Sequence, residues 1–210
     1  MRSSYIENNY GRIIQEYVLA WQPQSLVELG VLDGYSTKHI AMGVRDLARL
    51  RGFTPKFDAY DLFDDYTFKH GSIDEVKLVL EKEDVSKYVN LQKADAFEAY
   101  KNYEDIPYDA EGDPGRGIEF LHIDISNTGE TIKKIMELWH PKIGGRAIVI
   151  IEGGSEERDN VEWMVKYNKP SIKKEIETNE IINRYYMYGT YLRFPSMTVL
   201  LRKWRKGQCL

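Results

Sequence analysis

The chain has 210 residues, 42% hydrophobic and 30% charged, with a formal net charge of −4. At this length one fold buries roughly 70% of the surface its unfolded chain exposes, so a single domain has a core without staples. The acidic balance argues against a dedicated nucleic-acid binder, and no apolar run approaches the ~20 residues of a spanning helix. The lone Cys209 excludes an intrachain disulfide framework. Met1-Arg2-Ser3-Ser4-Tyr5 lacks the apolar stretch of a signal peptide. The expectation is a cytoplasmic protein with neither nucleic-acid nor membrane partners.

Apolar residues at Ile6, Tyr10, Ile13, Ile14, Tyr17, Val18 and Trp21 recur in steps of three and four. This predicts a helix capped by Ser3 or Ser4 and ended by Pro23. Residues 25–30 read as a buried strand entering a glycine turn. A helix from about Ser36 follows, carrying Ile40, Val44, Leu47 and Leu50, and Gly52 and Pro55 close it. The alternation continues with strand 57–61, helix 74–80, strand 89–94, a turn-rich loop at 111–117 and strand 118–124. Helix 131–139, stopping at His140-Pro141, and strand 146–152 come next. A helix over 159–166 precedes two β-rich runs, 184–192 and 197–202, and their short connection through Pro195 permits only an antiparallel pair. The predicted class is α/β: an open, mostly parallel sheet with helices on both faces and a reversed strand at the C-terminal end. One domain spans 1–210, with an N-terminal helix (1–22), a core (25–155) and a C-terminal helix and hairpin (156–210).

Ligands of such sheets lie outside the carboxyl ends of the strands. Those ends present Glu28, Asp61, Asp95, Asp124 and Glu152. One acid there is ordinary, but five along a rim imply a polar ligand with several donor groups. The first turn, Glu28-Leu29-Gly30-Val31-Leu32-Asp33-Gly34-Tyr35-Ser36, has Leu32 and Tyr35 where a dinucleotide fingerprint needs glycines, and no P-loop follows. It suits a nucleoside without a pyrophosphate: Gly30 and Gly34 leave space, and the amides opening the helix at Tyr35 and Ser36 can face a carboxylate.

The run from Val27 to Ser36 resembles the first motif of class I S-adenosylmethionine-dependent methyltransferases. Its Gly-Tyr-Ser ending is similar to the small-molecule O-methyltransferase branches, those acting on catechols, caffeoyl-CoA and macrolide sugars. Phe57-Asp58-Ala59-Tyr60-Asp61-Leu62-Phe63 resembles the second motif, Ala94-Asp95-Ala96 the third and Leu121-His122-Ile123-Asp124 the fourth. Lys142-Ile143-Gly144-Gly145 resembles the turn before the fifth strand. The resemblance runs from about residue 25 to about 155 and implies a Rossmann-like sheet of seven strands with the last pair antiparallel. It also implies S-adenosylmethionine as cofactor and the hydroxyl of a small molecule as acceptor. Asp61 with Leu62 would meet the ribose, and Asp95 and Ala96 the adenine. Glu28 or Asp124 would lie near the positively charged sulfonium and amino end.

The family pattern breaks at two places. Metal-dependent branches follow the fourth strand with a second Asp or a His and end the fifth in an acid pair or Asp-Asn. Here Ser126, Asn127 and Gly153 occupy those places. Asp124 and Glu152 are left as ligands for a water-rich Mg²⁺, and with Asn127 they are the candidate catalytic residues. Glu152 as a cap on the following helix is an equal alternative. His122 reads as a core histidine, and His140 as a helix-end residue complementing the dipole. Tyr185, Tyr186, Tyr188 and Tyr191 read as strand residues, Asp113-Pro114-Gly115 as a flap and Arg202 to Lys206 as a solvated end. Two rivals stand beside the enzyme: a non-catalytic S-adenosylmethionine binder that lost its base, and an NAD-dependent enzyme, which the first turn disfavours. A homodimer is left open.

Overall fold

The computed structural model describes residues 3–66, 71–107, 114–126 and 128–203. The chain divides into two compact units, 1–99 and 100–210. The first contains α1 (Tyr10–Trp21), β1 (Ser25–Leu29), α2 (Tyr35–Arg51), β2 (Lys56–Asp61), α3 (Ile73–Lys82), β3 (Asn90–Lys93) and α4 (Ala96–Ala99). The second contains β4 (Ile118–Ile123), α5 (Gly129–Trp139), β5 (Ile143–Glu152), α6 (Glu156–Asp159) and α7 (Glu162–Lys166). It closes with α8 (Ile172–Thr178), α9 (Glu180–Tyr185), β6 (Tyr186–Tyr191) and β7 (Met197–Arg202).

The strands form one seven-stranded sheet in the order β3-β2-β1-β4-β5-β7-β6. β1 pairs with β2, β2 with β3 and β4 with β5 in parallel. β7 inserts between β5 and β6, antiparallel to both. This is the mostly parallel α/β sheet with a reversed C-terminal strand that the alternation predicts.

In the first unit Ile14 and Val18 of α1, Leu26, Val27 and Leu29 of β1, and Ile40, Val44 and Leu47 of α2 are buried. These are the positions the periodicities of helix and strand select. Leu50, in the last turn of α2, is 74% exposed. The opening helix is broken: a 3-10 turn at Ser4–Ile6, capped by the Ser3 side chain, precedes α1, and Asn9 takes a left-handed φ of 53°. Asn tolerates that conformation better than most residues, so the break falls there.

The second unit departs further from expectation. β5 begins at Ile143, three residues before the predicted start at Arg146, and the turn lies at His140–Lys142. Gly144 and Gly145 are therefore strand residues: a Cβ on either would come within 2.9 Å of the Pro114–Gly117 backbone running alongside. Asp113, the start of the expected flap, lies outside the described residues, as do Trp204 to Lys206. The predicted helix 159–166 is two short helices, α6 and α7, because Asn160 turns its side-chain amide back onto the Glu156 carbonyl at 3.0 Å. α8 and α9 were not anticipated, and the run read as strand from Arg184 stays helical through Tyr185.

His140 corrects the dipole reading. Its Nδ1 lies 3.1 Å from the Tyr186 hydroxyl and 3.2 Å from an Arg202 nitrogen. Burial, followed by the Arg202 charge, holds its pKa down at about 4. His39 in α2 is also lowered to about 4, by burial and then by the neighbouring Lys38. Both are neutral in the folded protein, whereas the unfolded chain takes up these protons near pH 6.5. The folded state binds fewer protons in this window, so stability present above pH 6.5 drains away as pH falls towards 4. Denaturant midpoints measured across that range are expected to fall in the wild type and to fall less steeply in His140→Gln. Identical slopes would mean that His140 titrates normally in the fold.

Candidate functional site

In the first unit the carboxyl ends of β1, β2 and β3 lie side by side. The Gly30 amide donates to the Tyr60 carbonyl at 2.9 Å, and the Ala94 amide to the Asp61 carbonyl at 3.0 Å. The Asp61 carboxylate organises this rim. Its Oδ2 accepts the amides of Val31 at 2.7 Å and Leu32 at 3.0 Å, and its Oδ1 accepts that of Phe63 at 2.8 Å. Leu32 and Phe63 sit at φ of 52° and 50°, unusual for bulky side chains. A carboxylate bonded to their amides holds them there. Leu32 thus takes a conformation a fingerprint glycine would supply.

Gly34, at φ 79°, caps α2 without a side-chain hydrogen bond, and a Cβ there would meet Val76 Cγ1 at 3.0 Å. The amides of the first turn of α2 therefore have no side-chain cap competing for them. Tyr35 and Ser36 are buried. The Tyr35 hydroxyl meets the Gly11 backbone, with burial pushing its pKa up, so its side chain serves the packing of α1 on α2. Glu28 is fully buried in β1. Asp95 Oδ1 accepts the Phe97 amide at 2.8 Å and thereby starts α4, which places Ala96 at the foot of that helix.

In the second unit Asp124 is half-buried just past β4, Ser126 is exposed, and Asn127 lies outside the described residues. His122 is fully buried within β4. Glu152 ends β5, and both its oxygens are taken by Arg158 of α6, at 2.8 Å from Nε and 3.0 Å from Nη2. Only 6% of the Glu152 side chain and 11% of the Arg158 side chain are exposed. Burial works against the charged guanidinium, but the Glu152 hydrogen bonds and charge, with the charges of Asp124 and Asp159, hold its pKa above the ordinary value. Trp163 lies against the guanidinium at 5.5 Å. Asp159 in turn caps α8, accepting the Ile172 amide at 2.8 Å and the Lys173 amide at 3.0 Å. The helix-cap alternative for Glu152 gives way to this pair: the Ser155 side chain, not Glu152, accepts the Arg158 amide at 3.2 Å.

A divalent cation does not fit this corner. Both oxygens of Glu152 are in a two-point bond to a resident guanidinium. Gly153 and Gly154 sit at φ of 112° and 104°, where a second acid would be strained. Among the described residues no three His, Cys, Asp or Glu side chains gather as a cation cage.

Residues 27–152 match the methyltransferase-domain family. The chain belongs to that family. It is an S-adenosylmethionine-dependent methyltransferase of the class I type. Among solved structures, this methyltransferase is similar to the O-methyltransferase TomG from Streptomyces achromogenes, determined with S-adenosylmethionine. The identity is 10%, 96% of this chain and 86% of that one are covered, and the TM-score is 0.65. The S-adenosylhomocysteine-bound methyltransferase PaMTH1 of Podospora anserina matches at 12% identity over 92% and 78% of the two chains, with a TM-score of 0.64. An O-methyltransferase from Bacillus cereus, in complex with S-adenosylhomocysteine, matches at 14% identity over 93% and 81%, with a TM-score of 0.61. No curated protein matches the chain in sequence. No helix among the described residues is long and apolar enough to cross a membrane.

The predicted residues from the first three motifs of this methyltransferase lie near the ends of β1 and β2, in the turns after β1, β2 and β3, or in the first turns of α2 and α4. Sequence reading missed Arg158. The available signal was weak: a basic residue six positions beyond a strand-end acid, inside a helix too short to show periodicity.

Proposed function

We propose that this methyltransferase, one domain over 1–210, methylates a hydroxyl of a small-molecule acceptor. The carboxyl ends of β1 to β3 are assigned to S-adenosylmethionine. The observation that carries this reading is the Asp61 carboxylate at the carboxyl end of β2, tied to the first turn through the Val31 and Leu32 amides, a group of the kind that accepts the hydrogens of a ribose diol. Leu62 adjoins the ribose in this assignment, and Asp95 and Ala96 flank the adenine. The uncapped amides of Tyr35 and Ser36 receive the cofactor's carboxylate. Glu28, buried in β1, is assigned to its positively charged end. The similar proteins solved with S-adenosylmethionine or its product support the choice of cofactor, and the O-methyltransferases among them support oxygen as the acceptor atom.

S-adenosylmethionine supplies a methyl group already activated on a sulfonium. The chain's part is to align the acceptor oxygen and take its proton, and alignment alone can supply ~7–11 kcal/mol of the barrier. Asp124 is assigned as the proton acceptor, with Asn127 as its catalytic neighbour. Glu152 acts through Arg158. The family match favours this enzyme over a non-catalytic binder.

The test has two stages. S-adenosylmethionine at about a hundredfold excess over its Kd adds about 2.7 kcal/mol, which should raise the melting temperature by about 5–10 °C. NAD should leave it unchanged. Labelled methyl from S-adenosylmethionine should then appear on hydroxylated small molecules offered as a panel. A shift with NAD alone would overturn the cofactor assignment, and label found only on nitrogen or sulfur acceptors would overturn the oxygen reading.

A further inference from the structure

We infer that Arg158 is the built-in cation at the carboxyl end of β5, and that it keeps divalent metal ions out of this corner of the methyltransferase. The inference rests on the acceptor chemistry assigned above to the ends of β4 and β5, and deepens it.

A strand-end carboxylate of this kind needs a positive partner when buried, because an unpaired charge removed from water is expensive. Glu152 has that partner in two-point geometry, the strongest arrangement for a guanidinium and a carboxylate. The partner is held at its backbone and over its guanidinium. The Arg158 amide is capped by the Ser155 side chain, and the Ser155 amide is held by Ser196 Oγ, both at 3.2 Å. Trp163 lies over the guanidinium.

The neighbouring glycine completes the argument. A Cβ on Gly153 would meet Ile172 Cδ1 at 2.7 Å and Arg158 Cγ at 3.6 Å. The Ile172 side chain therefore fills the space that a second acidic side chain would need, and the stem of Arg158 packs beside it. A divalent ion at Glu152 would have to displace a guanidinium already at hydrogen-bond distance, and of the other carboxylates whose charges reach Arg158, Asp159 is already bound to the first amides of α8. Arg158 supplies positive charge there, and among the described residues no hydrogen-bond partner meets its buried Nη1. It is a positioning residue: it holds Glu152 and sets the charge near Asp124.

The test follows Mn²⁺ binding by water-proton relaxation, and its readout is the part of the binding that Glu152→Gln removes. In the wild type that part should be absent through the millimolar range. In Arg158→Met, checked for folding by circular dichroism, it should appear as saturable binding. Glu152-dependent Mn²⁺ binding to the wild type would overturn the inference, as would its absence from folded Arg158→Met. The comparison of wild type with Glu152→Gln does not use Arg158→Met, so a misfolded Arg158→Met does not remove the test. No turnover is involved either. If S-adenosylmethionine fails to bind, the functional reading fails while the Mn²⁺ result still decides this one.

Discussion

Asp61→Ala should lower stability by about 3–5 kcal/mol and abolish measurable S-adenosylmethionine binding. Three backbone amides lose a charged acceptor at once, and each such bond contributes about 1.5–3 kcal/mol, less than additively when shared by one group. Two of those amides belong to Leu32 and Phe63, whose positive φ values are held by the same carboxylate. Released, each residue can relax towards an ordinary conformation, since such strain persists only where the surroundings impose it. The turn then loses the shape that leaves the first amides of α2 open. Asp61→Asn separates the contributions. Its amide keeps one acceptor oxygen but must turn an NH₂ towards an N–H on the other side, so it should lose part of the stability and most of the affinity. Denaturant unfolding and titration calorimetry read the two quantities. Wild-type values for Asp61→Ala in both would mean the turn is shaped without the carboxylate.

Glu152→Ala should be nearly as damaging, because it strands a buried guanidinium. Breaking a buried pair by removing one partner costs about 3–5 kcal/mol, whereas replacing both with apolar groups is often neutral. The Glu152→Met and Arg158→Met double variant should therefore be more stable than Glu152→Ala. A double-mutant cycle should return a coupling well above the few tenths of a kcal/mol expected of independent sites. Additive losses would mean that the two side chains do not depend on one another.

The alternation of strands and helices made the sheet legible in the sequence, because each buried face follows its own period. Ile40, Val44 and Leu47 are such a face, and so is the run from Leu26 to Leu29. The strand ends were legible for a related reason: the apolar runs stop at Asp61 and Glu152, the last residues of β2 and β5. What escaped lay where local signals are short or ambiguous. α8 and α9 span seven and six residues, too few for a period to emerge, and their signatures are the caps Ser171 and Asn179. Gly144 and Gly145 look like a turn, yet they sit in β5 because the Pro114–Gly117 backbone passes within van der Waals contact. The Arg158–Glu152 pair depends on a side chain folding back across a short helix, a three-dimensional fact that no spacing rule encodes.

Calorimetric titration of the wild-type protein with S-adenosylmethionine, alongside Asp61→Asn and Asp95→Ala, addresses the central claim most directly. The account predicts a single saturable site in the wild type, strongly weakened by Asp61→Asn and measurably weakened by Asp95→Ala. Both variants should remain folded by circular dichroism. A folded wild-type protein that takes up no S-adenosylmethionine, or binding that neither substitution alters, would contradict it.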